Sequence, residues 1–198
     1  MSAFSLSYDY RCPFAKNIHL HVVEALRAGA AHEVTFVPWS LSQGHRPDGA
    51  PDVWEDPARD GDLLALAASV SVRDLQPERF LDAHAALFRA RHERGLRLVT
   101  PEEVDAVLAP LGVDVASVVD DVDSRRPHKV IGAAHQEFEG YQAFGVPTFV
   151  LEGEATFVRY MDPPGDDPAA SVELLDTLLG LMERRASLNE FKHTTVPY

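Results

Sequence analysis

The chain has 198 residues and a mass of 21.8 kDa, a size typical of one domain or of one domain with an insertion. Its 18 basic and 31 acidic residues give a formal net charge of −13, which disfavours nucleic acid and anionic membranes as partners. One cysteine, Cys12, excludes an internal disulfide framework and a cysteine-rich zinc site. Residues 1–10 lack the pattern of a signal peptide, and the longest apolar stretch, 63–72, is about half of the ~20 residues that a membrane helix needs. We therefore expect a cytoplasmic protein with a reduced thiol.

The first part of the chain has the pattern of a βαβ unit. Residues 4–10 alternate apolar and polar side chains, as a strand does. Residues 14–26 repeat an apolar side chain every four positions, which predicts an amphipathic helix, and 34–37 is β-branched and aromatic, which predicts a second strand. Strand, helix and strand at this spacing indicate a parallel strand pair.

A loop, a helical block and a ββα unit follow. Glycine and proline interrupt residues 40–60, which predicts a long loop without regular elements. The helical block is predicted in five pieces, at 63–72, 77–93, 101–111, 115–122 and 127–142. The final unit is predicted as strand 148–151, a turn at 152–153, strand 156–160 and helix 169–185.

This order of elements predicts an α/β protein with a thioredoxin fold, in which the βαβ and ββα halves share one central sheet. The helical block lies between the two halves as a large insertion. We predict a thioredoxin-like domain from residues 1–60 and 140–198, and an inserted helical subdomain from residues 61–139.

Cys12 lies where the first strand passes into the first helix. Unpaired backbone N–H groups and the positive end of the helix dipole favour a thiolate at such a position. Pro13 supports the placement, because proline suits the first turn of a helix. We therefore expect a partly exposed thiol with a pKa below that of free cysteine. The alternative is a buried structural cysteine, which is common for free cysteines.

A second notable segment is 145–149, Gly-Val-Pro-Thr-Phe, in which proline directly precedes a strand. A plain turn proline is the ordinary explanation. The predicted topology, however, brings the start of this strand beside the N-terminus of the first helix. We therefore predict a cis Val146–Pro147 bond that exposes the Val146 backbone beside the thiol.

Together these segments resemble DsbA-type thioredoxin-fold proteins. Residues 8–15, Tyr-Asp-Tyr-Arg-Cys-Pro-Phe-Ala, are similar to the active-site segment of that family, and 145–150 is similar to its cis-proline loop. The helices between the two segments are similar to the family's inserted helical domain. The resemblance implies thiol or disulfide chemistry with Cys12 as the catalytic residue, and a substrate groove shaped by Val146 and Pro147.

The residues beside Cys12 complete the candidate site. We assign Pro13 and Phe14, which follow the thiol, to substrate or thiol binding together with the proline loop. Arg11 precedes the thiol, where its charge would stabilise a thiolate or bind an anionic thiol. An ordinary surface arginine is the alternative for Arg11.

The departures from the family pattern are informative. Ala15 occupies the place of the second cysteine of the redox members, so an internal dithiol cycle cannot run. Gln142 stands where a glycine usually precedes the proline loop. A related branch, the kappa-class glutathione transferases and the 2-hydroxychromene-2-carboxylate isomerases, has a serine in place of Cys12. The chain therefore keeps the redox nucleophile without its resolving partner.

The predicted function is monothiol thiol–disulfide exchange, in which Cys12 forms a mixed disulfide with a small thiol or a partner protein. An external thiol, glutathione or mycothiol, would resolve it as co-substrate, and no tightly bound cofactor is expected. One alternative is a thiol-dependent transferase or isomerase acting on an electrophile. Another is a non-catalytic scaffold, which predicts an unreactive or buried Cys12. A homodimer is left open.

Other polar and aromatic residues give weaker predictions. His128 and His135 share a helical face, but no third ligand accompanies them, so no metal site is predicted. His135 is either a polar group of the active site or a surface histidine. Trp39 and Trp54 flank the long loop, where they either line a groove for an aromatic substrate or pack in the core.

Overall fold

This computed structural model describes residues 1–196 of the chain, which contain four strands and eight α-helices. In chain order they are β1 (Ala3–Tyr8), α1 (Pro13–Arg27), β2 (Glu33–Pro38), α2 (Leu41–Gly44), α3 (Asp60–Leu75), α4 (Pro77–His92), α5 (Pro101–Leu108), α6 (Val115–Asp123), α7 (Arg126–Gly140), β3 (Thr148–Leu151), β4 (Glu154–Phe157) and α8 (Pro168–Arg184). Short 3-10 turns occupy Pro57–Arg59 and Ala109–Leu111.

The four strands form one mixed sheet in the order β2-β1-β3-β4. β1 is parallel to β2, with Leu6 opposite Phe36, and antiparallel to β3, with Leu6 opposite Phe149. β4 is antiparallel to β3 at the edge of the sheet. This is the arrangement predicted from the sequence, with the βαβ and ββα halves sharing a sheet.

The core explains why these elements form. Leu6 lies on the central strand and is fully buried, as an apolar residue covered on both sides of a sheet should be. α1 packs against α8, whereas α3 packs against α4, α6 and α7. The apolar run 63–72 lies within α3, and most of its side chains are buried because helices surround them. The domain division at residues 61 and 140 stays a prediction.

The long loop and the last strand are among the predicted elements that differ from the structure. The loop predicted over 40–60 contains α2, because Ser40 caps it by accepting a hydrogen bond from the backbone N–H of Gln43 at 3.3 Å. The strand predicted over 156–160 ends at Phe157, where the chain leaves the sheet. Within residues 1–196, no helix combines the length and apolar character that crossing a membrane requires.

Candidate functional site

Cys12 is the N-cap residue of α1, with extended backbone angles and Pro13 in the first helical turn. Its Sγ accepts a hydrogen bond from the backbone N–H of Ala15 at 3.4 Å. The thiol donates to the carbonyl oxygen of Val146 at 3.2 Å. The Val146–Pro147 peptide bond is cis, as predicted. The structure therefore brings together the two segments that the sequence singled out.

The environment of the Cys12 thiol corrects one prediction. The residue is 8% exposed, whereas a partly exposed thiol was expected. Burial raises the pKa of Cys12 above its ordinary value, and the negative charge of Asp9 acts in the same direction. The backbone N–H groups of Phe14 and Ala15 lower the pKa, as the helix start predicts, but their effect is smaller. The prediction of a lowered pKa was therefore wrong, because desolvation outweighs the helix N-terminus.

Arg11 belongs to an ion pair that holds the turn before α1. Its Nε donates to Oδ1 of Asp9 at 3.1 Å and its Nη2 donates to Oδ2 at 2.7 Å. Its Nη1 donates to the hydroxyl of Ser42 at 2.7 Å. Asp9 is buried and also accepts from the backbone N–H of Leu41 at 2.8 Å. Arg11 therefore pairs with Asp9 and connects the turn to α2, and its assignment to thiol binding stays a prediction.

The proline loop is fixed to the central strand. The backbone N–H of Thr148 donates to the Ser7 hydroxyl at 2.9 Å, and the Thr148 hydroxyl donates to the carbonyl of Gly145 at 2.8 Å. Val146 and Pro147 are buried. These contacts hold the Val146 carbonyl in place against the thiol.

Arg159, which contacts the ring of Phe14, is a residue that the sequence analysis missed. Phe14 is half-buried in the first turn of α1, and the Cζ of Arg159 lies 4.6 Å from the centroid of its ring. Arg159 follows β4 in the chain, and its charge lowers the pKa of Cys12. The signal that could have found it is the predicted hairpin, which pairs the strand beginning at Thr148 with the segment that carries Arg159.

His135, Trp39 and Trp54 form a buried cluster behind α2. The His135 ring stacks on Trp39 with centroids 4.4 Å apart and lies 5.5 Å from Trp54. His135 Nδ1 accepts from the backbone N–H of Ser40 at 3.2 Å, and burial lowers the pKa of His135 to about 4. His135 is therefore a neutral core histidine, and the prediction of a surface histidine was wrong. Both tryptophans are buried in the core.

The sequence analysis also missed a row of buried, hydrogen-bonded polar side chains. His19 Nε2 lies 3.0 Å from the carbonyl oxygen of Ser7, and its Nδ1 lies 2.9 Å from His84 Nε2. His84 Nδ1 lies 2.8 Å from the Tyr10 hydroxyl. Burial lowers the pKa of both histidines, to about 3 for His19. These contacts provide partners for buried polar atoms of α1, α4 and the turn before Cys12. Among the described residues, no group of three histidine, cysteine or acidic side chains could hold a metal ion.

Comparison with known proteins decides the family. Residues 5–173 match the model of the DSBA-like thioredoxin domain. The chain belongs to this family. It is 28% identical over 177 residues to the thiol:disulfide interchange protein DsbA of Pseudomonas aeruginosa, a match covering 84% of this chain and 78% of that protein. It is also 25% identical over 172 residues to an uncharacterised protein of Mycobacterium tuberculosis, covering 86% and 73% of the two chains.

Solved structures of DsbA-like proteins share the fold. The crystal structure of Pseudomonas aeruginosa DsbA superposes with a TM-score of 0.59 at 23% identity, covering 95% of this chain and 86% of that one. The cytosolic disulfide reductase DsbM of the same organism, solved with GSH, gives a TM-score of 0.60 at 18% identity, covering 90% and 100%. The α/β class and the thioredoxin fold predicted from the sequence are therefore confirmed, and membership of the DsbA-like family makes the chain a thiol oxidoreductase relative.

Proposed function

We propose that the protein is a monothiol oxidoreductase that carries out thiol–disulfide exchange through Cys12. The observation that carries the proposal is the arrangement of a lone cysteine at the N-cap of α1 against the Val146 carbonyl of the proline loop. The fully buried Ala15 occupies the place of a resolving thiol, so the second thiol comes from outside the chain. Val146 and Pro147 shape the surface on which a disulfide substrate lies beside Cys12.

The exchange proceeds in two balanced steps. The Cys12 thiol loses its proton to solvent, and the thiolate attacks one sulfur of a substrate disulfide. A new disulfide bond forms to Cys12, the substrate S–S bond breaks, and the leaving sulfur departs as a thiolate with the bonding electron pair. An external thiol, after losing its own proton, then attacks the sulfur of the bound group. Cys12 leaves as a thiolate and takes up a proton again.

Glutathione or mycothiol serves as the external thiol in this proposal, and the cytoplasm is the proposed location. A relative of the same fold is a cytosolic disulfide reductase solved with GSH, which supports both choices. A low-molecular-weight thiol suits the site because the thiol is 8% exposed, so a small co-substrate reaches it with less rearrangement than a folded protein needs.

The test is mass spectrometry of the purified protein after incubation with oxidised glutathione. We expect one glutathione adduct on Cys12 that persists until free thiol is added. The Cys12→Ser variant should form no adduct. In Ala15→Cys, the added thiol lies one helical turn from Cys12, close enough for a disulfide. That variant should therefore expel the glutathione without added thiol and end as an internal disulfide.

One other function has a specific observation in its favour. Burial of Cys12 agrees with the scaffold alternative, in which the thiol does no chemistry. The same experiment separates the two functions, because a scaffold gives no adduct even when pH is raised enough to ionise the thiol. Absence of an adduct under those conditions would replace the exchange function by the scaffold.

A further inference from the structure

The turn that carries Cys12 is held by α4, a helix that lies in the chain between the two halves of the sheet. The backbone N–H of Cys12 donates to the carbonyl of Asp9 at 3.0 Å, which closes the turn. Tyr10, inside this turn, is buried. Its hydroxyl lies 2.8 Å from His84 Nδ1, and its carbonyl oxygen accepts from His92 Nε2 at 2.8 Å. Two histidines of one helix therefore hold the side chain and the backbone of a residue that precedes the thiol by two positions.

The row of hydrogen bonds from Tyr10 to β1 runs in one direction. The carbonyl of Ser7 only accepts, so Nε2 of His19, which lies 3.0 Å away, donates to it. Burial lowers the pKa of both His19 and His84, so each ring is neutral at pH 7 and has one donor and one acceptor nitrogen. Nε2 of His84 therefore donates to Nδ1 of His19 at 2.9 Å, and the Tyr10 hydroxyl donates to Nδ1 of His84.

The far end of this row lies beside the proline loop. Ser7, whose carbonyl accepts from His19, also accepts through its hydroxyl from the backbone N–H of Thr148 at 2.9 Å. Thr148 directly follows the proline of the cis bond. The row therefore connects the turn before the thiol with the loop whose Val146 carbonyl accepts from that thiol.

The surroundings of His84 are aromatic. The centroid of its ring lies 4.7 Å from that of Tyr8, and 5.0 Å from those of Phe36 and Phe88. An apolar side chain would fill this space without the cost of burying an imidazole, so packing alone does not require a histidine. A buried polar network whose members all have partners specifies one arrangement of those members. What the imidazole adds is therefore a defined position for the Tyr10 side chain.

We propose that His84 is a positioning residue for Cys12, which fixes the Tyr10 side chain and with it the turn that keeps the thiol buried against the Val146 carbonyl. His84 takes no part in bond changes, because it acts on the thiol only through Tyr10. If the Tyr10 hydroxyl is removed, the turn gains freedom and water reaches the thiol more often. Burial is the largest cause of the raised pKa of Cys12, so that pKa should then fall towards the value of free cysteine. The inference deepens the proposed exchange function, and its importance for catalysis rests on that function.

The test is the pH profile of iodoacetamide alkylation, measured by intact mass. Cys12 is the one cysteine of the chain, so each added group reports on this thiol. Tyr10→Phe removes the hydroxyl but keeps the ring, and it should lower the inflection of the profile by about 0.5–1 pH unit. The two histidines stay neutral throughout, because their pKa values are lowered.

Ser171→Ala is the matched control. It also removes one hydroxyl beside Nδ1 of a buried histidine, since the Ser171 hydroxyl lies 2.9 Å from Nδ1 of His21. Ser171 is on α8, and His21 lies about two and a half turns beyond Cys12 along α1. Both variants should lose a similar part of their stability in urea, but the inflection of Ser171→Ala should equal that of the wild type.

Variants at His84 connect the shift to this residue. His84→Leu should lower the inflection as much as Tyr10→Phe does, and the double variant should lower it no further, because both changes remove the same contact. His84→Gln keeps an acceptor and a donor, so it should restore part of the wild-type profile. If His84→Leu does not fold, the comparison of Tyr10→Phe with Ser171→Ala decides the question.

The outcomes separate the two proposals when the adduct with oxidised glutathione is measured in parallel. An unchanged inflection in Tyr10→Phe, or an equal shift in Ser171→Ala, overturns the role of His84, and a wild-type adduct would then leave the exchange function standing. Shifts that add in the double variant overturn it as well. A lowered inflection in Tyr10→Phe without any adduct in the wild type defeats the exchange function, while His84 still positions the thiol. If iodoacetamide reacts at no pH, both proposals fail.

Discussion

Two segments carry an arginine close to Cys12, and the two arginines have different neighbours. In the turn over residues 9–12, the Arg11 side chain is 26% exposed and pairs with the buried carboxylate of Asp9. In the segment over residues 158–161, Arg159 is exposed and lies against the Phe14 ring. The comparison teaches that two arginines near one residue differ in their surroundings: Arg11 lies against a buried carboxylate, whereas the Arg159 guanidinium lies against an aromatic ring at the surface.

The energetic difference follows from burial. A buried carboxylate needs a partner, and removing one member of such a pair costs about 3–5 kcal/mol because an unpaired group is left behind. An exposed guanidinium on an aromatic ring contributes about 0.5–1 kcal/mol. The turn should therefore contribute more to the free energy of unfolding than the segment does.

The largest effect is expected at Asp9. Its carboxylate accepts hydrogen bonds from the Arg11 side chain and from the backbone N–H groups of Arg11 and Leu41. Asp9→Ala removes these acceptors and should lower the free energy of unfolding by about 3 kcal/mol, measured by urea denaturation. Asp82→Ala is the control, because the Asp82 carboxylate is 56% exposed in its pair with Arg27 and its loss should cost less than about 1 kcal/mol. Equal losses in the two variants would contradict a structural role for the turn.

An intermediate effect is expected at Asn17, a positioning residue for the segment. Its Nδ2 makes two hydrogen bonds to the segment, while its buried Oδ1 has no partner among the described residues. Asn17→Ala should therefore cost about 1 kcal/mol in stability. Urea denaturation measures this cost, and an unchanged free energy of unfolding would show that the segment is held without the two hydrogen bonds from Asn17.

The smallest effect is expected on the titration of Cys12. Because burial raises the pKa of the thiol, the rate of iodoacetamide alkylation should rise with pH and reach its inflection above the ~8.5 of free cysteine. Arg159 lowers that pKa, so Arg159→Gln should move the inflection further up. An inflection below that of free cysteine would mean that the helix N-terminus outweighs burial after all.

Patterns among residues that are close together in the sequence gave reliable predictions. The alternation in β1 and the four-residue repeat of α1 predicted both elements, and Cys12 followed by Pro13 predicted the helix N-terminus, because each depends on interactions within one or two turns. The order of the elements predicted the shared sheet, and the resemblance of the segments at Cys12 and Pro147 predicted the family.

By itself, then, the sequence determined the α/β class, the two halves that share one sheet and the lone thiol at the start of α1. The tertiary structure decided how that thiol behaves. Its burial comes from elements far away in the chain, including the Val146 carbonyl, and desolvation reversed the sign of the expected pKa change. The tertiary structure also decided the surroundings of the two arginines. Leu41 and Ser42 complete the turn at Arg11, whereas Asn17 and Pro147 hold the segment that carries Arg159. Charge and burial depend on which distant groups come within a few ångströms, and local sequence patterns do not specify those distances.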